Sequence, residues 1–454
     1  MTFELGIEGG RLVTASGSSR GNVYISGGSV AAVTQGVEPA HERFDASGLL
    51  VMPGMVDSHV HLMDPGDPTR EDFPSGTAAA ARAGVTTVIE HTHGRPVRTK
   101  GDLATKSAYL ADRARVDFAL AAHAWPGHVD EALGAWHAGA AFLKVFMCTT
   151  HGVPAHQPAQ LRALFAAGAA AGAVFLVHCE DESGTAAAER VLRASGRDDG
   201  GIIPAWRNLD AELTAVEVVA SIARETGARV VIAHASCAAT VDTARREGYD
   251  GVSVETCPQY LTMLRREVED LGPLRKFTPP ARAEGDEDLE RMWSLVRGRQ
   301  VDIVSSDHAP STRAQKLGAS LWDAHFGLPG LDTTMGILLD AAAAGRITYE
   351  RLVELYSEKP ALLYGLAPRK GRLAPGADAD VVVVDPRERW TVTDDGVLSL
   401  ARWSPYTGRE LTGRAVRTYV RGRIVMDRGV VVAEPGTGRL LLGAGTSGGT
   451  ARAL

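Results

Sequence analysis

The sequence predicts an α/β protein, a (β/α)8 TIM barrel carrying a small β-sandwich domain formed by both chain ends. Three observations support this. Through the middle of the chain, short apolar runs alternate with Ala-rich helical stretches, the signature of parallel strands joined by helices. The two ends instead read as short strands broken by Gly-rich turns. No glycine-rich phosphate loop follows the first apolar strand, which weighs against a doubly wound sheet.

The elements follow in order. Residues 1–50 carry strand-like runs at Phe3–Ile7, Arg11–Thr14, Asn22–Ile25 and Val30–Val33, punctuated by Gly9-Gly10 and Gly27-Gly28. Eight apolar strands are then predicted. The first four are Met55–His61, Val85–His91, Val116–His123 and Ala141–Met147, and the rest are Val174–His178, Arg229–His234, Gly251–Thr256 and Val301–Asp307. Helical stretches at Gly76–Ala83, Gln160–Ala171 and Ala211–Thr226 lie between them. After about residue 370 the β texture returns in the run Asp380 to Asp385 and in a hairpin, Arg417–Val420 with Arg423–Met426, around Gly422. The expected division is a β domain from residues 1–50 and 370–435, a barrel over 51–369, and a Gly-rich tail over 436–454, flexible or dependent on a partner.

Composition narrows the function classes. The 454 residues include 48 Lys and Arg against 55 Asp and Glu, a net charge of −7, with no basic excess to neutralise phosphates, so nucleic acid is not the expected partner. No apolar run approaches the ~20 residues of a membrane span. Met1 to Leu5 shows no basic n-region ahead of an apolar run. The four cysteines, Cys148, Cys179, Cys237 and Cys257, are too widely spaced for a CxxC site or a disulfide framework. The expected location is the cytoplasm.

The 14 histidines are the compositional outlier. In a barrel of this kind chemistry sits at the C-terminal ends of the strands. Those ends hold His59 and His61, His91 and His93, Lys144, His178, His234 and Asp307. In the segment Asp57-Ser58-His59-Val60-His61 the strand period of two turns both imidazoles to one face, and imidazole is a common ligand for zinc-like metals. A single histidine at a strand end is more often a satisfied core residue; four together point to a metal. Lys144 sits inside Ala141 to Met147, where a buried ammonium costs several kcal/mol. Either it snorkels to a carboxylate or it is carbamylated into an anionic ligand shared by two metals, and the surrounding histidines favour the second. Asp307, closing the eighth strand, is read as a metal ligand and proton carrier rather than an Asx turn. His123, His128, His137, His151 and His156 fall near loops and are expected to be solvated or at a pocket rim.

These residues resemble the amidohydrolase superfamily, and within it the cyclic-amidase branch of hydantoinases, dihydropyrimidinases, allantoinases and dihydroorotases. The resemblance rests on Met52 to His61, Gly76-Thr77 through Gly84 to Thr87, Glu255 to Leu261, Thr278 to Arg282, Ser306-Asp307-His308, Glu358 to Ala361 and Gly376 to Asp380, in the family order. It implies two divalent metal ions, usually zinc. His59, His61 and Asp307 would hold one and His178 and His234 the other, with Lys144 as N6-carboxylysine bridging them. It also implies water made nucleophilic near neutral pH, and Asp307 as base and then acid in opening a small cyclic amide or ureide ring.

Departures from the branch bear on substrate. Dihydroorotases resemble H-x-H-x-R, with an arginine gripping a carboxylate; here that position is Met63, which argues against dihydroorotate. The tyrosine that hydantoinases carry after the bridging lysine is missing from Met147 to His151, with Thr149, Thr150 or His151 the expected substitute. Phe326-Gly327 stands where an Asn-Gly pair clasps the ring, and Thr278 matches the residue whose backbone binds the ring amide. His93 is expected to line the pocket, and His91 carries less weight. Other readings are a dihydroorotase or another imidase of the branch, a mononuclear deaminase, which Lys144 argues against, and a non-catalytic scaffold homologue, which six intact ligand positions argue against. Relatives of this kind imply a homo-oligomer, a tetramer or dimer.

Overall fold

The computed structural model describes residues 2–318 and 320–446. The N-terminal strands are β1 (Phe3–Thr14), β2 (Gly17–Ser26), β3 (Ser29–Thr34), β4 (Ala40–Asp45) and β5 (Leu50–Pro53). The barrel strands are β6 (Met55–Val60), β7 (Val85–Glu90), β8 (Asp117–Leu120), β9 (Ala122–His123), β10 (Leu143–Phe146), β11 (Val174–His178), β12 (Arg229–Ile232), β13 (Val252–Thr256) and β14 (Ile303–Val304). The C-terminal strands are β15 (Val381–Thr391), β16 (Glu410–Val420), β17 (Arg423–Asp427) and β18 (Val430–Val431).

Every barrel pairing is parallel, and β8 and β9 act as one strand interrupted at Ala121. The ring closes where Val60 bridges His308 and the His61 N–H donates to the His308 carbonyl at 2.7 Å. The eight predicted runs therefore form the eight barrel strands; seven are shorter than their apolar runs, and β11 coincides with its run and ends on His178. The helix Phe73–Ala83 begins where the Asp72 carboxylate accepts the Ser75 N–H at 2.7 Å, capping its first turn.

Both chain ends build the second sheet. β5 lies between β1, which it meets in parallel, and β15, which it meets antiparallel with Val382 opposite Met52. The period of two divides this sheet between two cores. Val51, Val381 and Val383 pack with Leu5, Ile7 and Tyr419 inside the small domain, whereas Met52, Val382 and Val384 pack against the barrel. β4 was not anticipated: its polar segment Ala40 to Asp45 is largely exposed and shows no apolar alternation, yet it pairs with β1.

The tail departs from the expected flexibility over the residues described. Residues 438–441 lie along β8, with the Leu441 N–H donating to the Phe118 carbonyl at 2.7 Å and Arg439 N–H to Asp117 at 2.8 Å, and the Gly443 N–H donates to the Gly139 carbonyl at 2.9 Å. Gly438 is required there, because a Cβ would collide with the Val116 carbonyl. Glycine in this tail serves close approach rather than mobility. Residues 447–454 lie outside the described residues.

A buried ion cluster joins the two sheets and the tail. Lys370 Nζ reaches Asp117 at 2.6 Å, Asp380 at 2.7 Å and Asp378 at 2.9 Å, and Arg421 also pairs with Asp117. These carboxylates hold the Lys370 ammonium well above its ordinary range despite burial. Lys370→Met should leave Asp117 and Asp380 buried beside too little positive charge and cost about 3–5 kcal/mol, read as a lower urea-unfolding midpoint.

Candidate metal and ring-binding site

The strand ends converge on one cavity lined by His59, His61, Lys144, His178, His234 and Asp307. His59 Nε2 faces Asp307 Oδ1 at 3.3 Å and Lys144 Nζ at 3.5 Å, and His61 Nε2 faces the same Asp307 oxygen at 3.6 Å. His178 Nδ1 lies 3.0 Å from His234 Nε2. All six residues predicted as ligands are thus brought together, in two subgroups with Lys144 beside the first. His234 and Asp307 adopt φ of 40° and 48°, backbone conformations that ordinary residues rarely hold without support from their surroundings.

The support comes from carboxylates that sequence reasoning did not single out. His59 Nδ1 meets Glu255 Oε1 at 2.7 Å, and the same oxygen accepts the His234 N–H at 3.1 Å. This leaves His59 Nε2 to face the cavity, as the His91 carbonyl does for His61 through Nδ1 at 3.2 Å. On the other side Glu180 accepts from His178 Nε2 at 2.7 Å and from the Thr278 hydroxyl at 2.7 Å, and pairs with Arg207 at 3.3 Å. The Arg207 charge and the His178 hydrogen bond hold the Glu180 carboxyl down at about 2 despite its burial.

Burial keeps the imidazoles neutral, with lone pairs available as donors. Burial, then the Lys144 charge, pushes His59 well below the ordinary imidazole range, and burial likewise lowers His61, His178 and His234. Neutral imidazoles with lone pairs turned toward one another have little reason to converge without an electrophile between them. The nitrogen and oxygen donor set fits a divalent metal of the zinc type. Ring nitrogens of His59, His61 and His91 lie within 4.8 Å of one another, close enough to hold one ion, and so do donor atoms of Cys148, His178 and Glu180.

Of the residues expected to meet substrate, Met63, His93, Thr278, Phe326 and Gly327 line the cavity. Gly327, at φ 110°, leaves no room for a Cβ against Ala309. Thr149 does not line it: its N–H is tied to Glu182 at 2.5 Å and its hydroxyl accepts the Ala155 N–H at 3.3 Å. Of the three candidate substitutes it is His151 that lines the cavity, stacked on His93 with ring centroids 4.6 Å apart. His123 and His156 also depart from expectation, being buried rather than at the rim. His123 ends β9, so its ring turns inward and Nε2 meets the His91 carbonyl at 3.1 Å. His91 is nearly inaccessible, and among the described residues neither ring nitrogen has a hydrogen-bond partner. Its position on a β-strand end was visible in the sequence; its approach to His59 and His61, with centroids 4.5 and 4.4 Å away, was not.

Known proteins share this architecture from end to end. The model of the amidohydrolase family matches residues 50–425. An L-hydantoinase of Paenarthrobacter aurescens is 34% identical over 97% of this chain and 98% of its own length. An allantoinase of Rubrobacter xylanophilus is 36% identical over 95% of this chain and 96% of its own. The solved L-hydantoinase (dihydropyrimidinase) from Arthrobacter aurescens superposes with a TM-score of 0.92 at 32% identity, over 97% of this chain and all of that one. Such even similarity to differently named enzymes leaves the ring substrate to be argued from the cavity. The chain belongs to the amidohydrolase family.

Proposed function

We propose that the chain is a hydrolase that opens a cyclic amide or ureide ring of the hydantoin or allantoin type at a binuclear zinc centre, with carbamylated Lys144 between the ions. One observation carries this reading: four imidazoles and one carboxylate converge around a buried lysine in one cavity. His59, His61 and Asp307 would hold one ion and His178 and His234 the other. When bound, such ions acidify water and polarise a carbonyl.

The chain's own groups do the rest. Asp307 turns Oδ1 toward His59 and His61, leaving its second oxygen to take the proton of the attacking water and pass it to the departing ring nitrogen. The Thr278 hydroxyl is held by Glu180, so its backbone is the part offered to the ring amide. Phe146, Phe326 and the stacked pair of His93 and His151 wall the cavity with planar surfaces suited to a flat ring. The four thiols are free, in keeping with a reducing cytoplasm. Among the described residues no helix is long and apolar enough to cross a membrane. A homo-oligomer, dimer or tetramer, is the assembly we infer from the family.

The test is turnover of hydantoin, allantoin, dihydrouracil and dihydroorotate by protein loaded with zinc and bicarbonate. Ring opening of hydantoin or allantoin is expected, with loss on chelation and recovery on adding zinc. Dihydroorotate should be the poorest, because a carboxylate borne directly on the ring meets Met63 rather than a cation. Failure to open any of the rings would overturn the reading.

A further inference from the structure

Arg70 on the cavity wall, and Lys276 and Lys316 behind it, have no carboxylate within ion-pair distance among the described residues, in a chain whose net charge is −7. Arg70 lines the cavity and donates Nε to the Pro310 carbonyl at 3.0 Å and to the Ser311 hydroxyl at 2.9 Å. Among the described residues no carboxylate lies within ion-pair distance of its guanidinium, and its two Nη groups have no protein acceptor. Behind it lies Lys316, fully buried, whose Nζ donates only to the carbonyls of Lys276 at 2.9 Å and His325 at 2.8 Å. Lys276 is equally buried and donates to the carbonyls of Leu321 and Trp322, with Nζ 4.4 Å from the centre of the Phe326 ring. Asp67 and Asp323 are the nearby acids. Asp67, which also lines the cavity, accepts from the Thr69 hydroxyl and N–H, and Asp323 accepts from the Ser320 hydroxyl; both keep their charge, but neither lies within ion-pair distance of the three cations.

Burying a cation without a counter-ion is costly, and three on one wall repel one another. Their mutual influence is seen at Lys316, where Arg70, Lys276 and Arg275 add to burial in pushing the ammonium down. Carbonyl oxygens satisfy the hydrogen bonds but leave the charge. Such a wall focuses an attractive field for anions into the cleft, and a guanidinium with its outer edge free suits the two oxygens of a carboxylate.

We infer that the substrate ring bears an acidic side chain, whose carboxylate is held by Arg70 in the field of Lys276 and Lys316. The inference rests on the ring-opening reading above and deepens it: the substrate class is a cyclic ureide with a carboxyalkyl substituent. Its carboxylate sits away from the ring, where Arg70 rather than Met63 meets it.

The test compares the hydantoins of glutamate and glutamine, which differ in charge but hardly in shape, on zinc-loaded protein. The ratio of their kcat/KM values should favour the glutamate compound by about 10- to 100-fold, as a charge-assisted hydrogen-bond pair is worth. Arg70→Met should bring the ratio to about one, and Arg70→Lys should retain part of the preference. A wild-type ratio of one or less, or a ratio that Arg70→Met leaves unchanged, would overturn the inference. Calorimetric binding of the ring-opened products, N-carbamoylglutamate and N-carbamoylglutamine, separates the two readings because it needs no turnover. A preference for the former that vanishes in Arg70→Met sustains the carboxylate site even if no ring is opened, and equal binding in the wild type refutes it.

Discussion

Lys144→Ala is expected to bind at most one metal per chain, against two in the wild type, and to lose about a thousandfold in kcat/KM. Elemental analysis and steady-state assay in zinc and bicarbonate read the two effects. Lys144 Nζ is enclosed by the barrel, 3.5 Å from His59 Nε2 and 5.3 Å from the centre of the Phe146 ring. As an ammonium it opposes cations, and its charge helps to depress His59, His61, His178 and His234. Burial pushes that ammonium down to about 8, which enlarges the fraction present as the free amine. The free amine is the form that combines with carbon dioxide, releasing a proton and leaving a carbamate. The sign of the central charge is then reversed, and a cluster hostile to cations becomes a site for two. Alanine keeps the cavity but removes the anion, so about 4 kcal/mol of transition-state stabilisation is lost, equivalent to the thousandfold drop. Intact mass of the wild type should show the added carbon dioxide; two metals held by an unmodified lysine would refute the bridge.

The parts of this site legible in the sequence are those set by local periodicity. His59 and His61 share a face because a strand repeats every two residues, and Lys144 stands out because an apolar run has no other use for a charge. Glu255 was not legible in this way: it lies 196 residues from His59, so only closure of the barrel reveals what it orients. Glu180 stands two residues after His178, a local spacing, but its contact with Thr278, 98 residues on, depends on the barrel. Thr149 and His151 differ by two positions in one loop, and no period governs which of them faces the cavity. The positive φ of 53° at His151 is a loop property without a strand or helix signal. Arg70, in the loop after β6, belongs to no motif or period; its lack of a counter-ion is a fact of three dimensions. The fold was read more completely than the site because eight apolar runs repeat a pattern, whereas β4 and the docked tail depend on pairing with β1 and β8.

Asp307→Asn should lower kcat by about 10²- to 10⁴-fold, and saturating zinc should not restore it. The substitution is chosen for its backbone: position 307 holds φ at 48°, and asparagine tolerates this region as well as aspartate does. The amide oxygen can still face His59 and His61, so metal retention can be separated from proton transfer. If Asp307 served only to hold an ion, weaker binding would appear as a higher zinc requirement, and excess zinc would return kcat to within about tenfold. If it also carries the proton from water to the ring nitrogen, asparagine cannot replace it at any zinc concentration, since an amide does not exchange a proton in the neutral range. A compound with a better leaving nitrogen should then suffer less from the substitution, because its departure needs less help from an acid. Equal losses for good and poor leaving groups would assign Asp307 to metal binding alone.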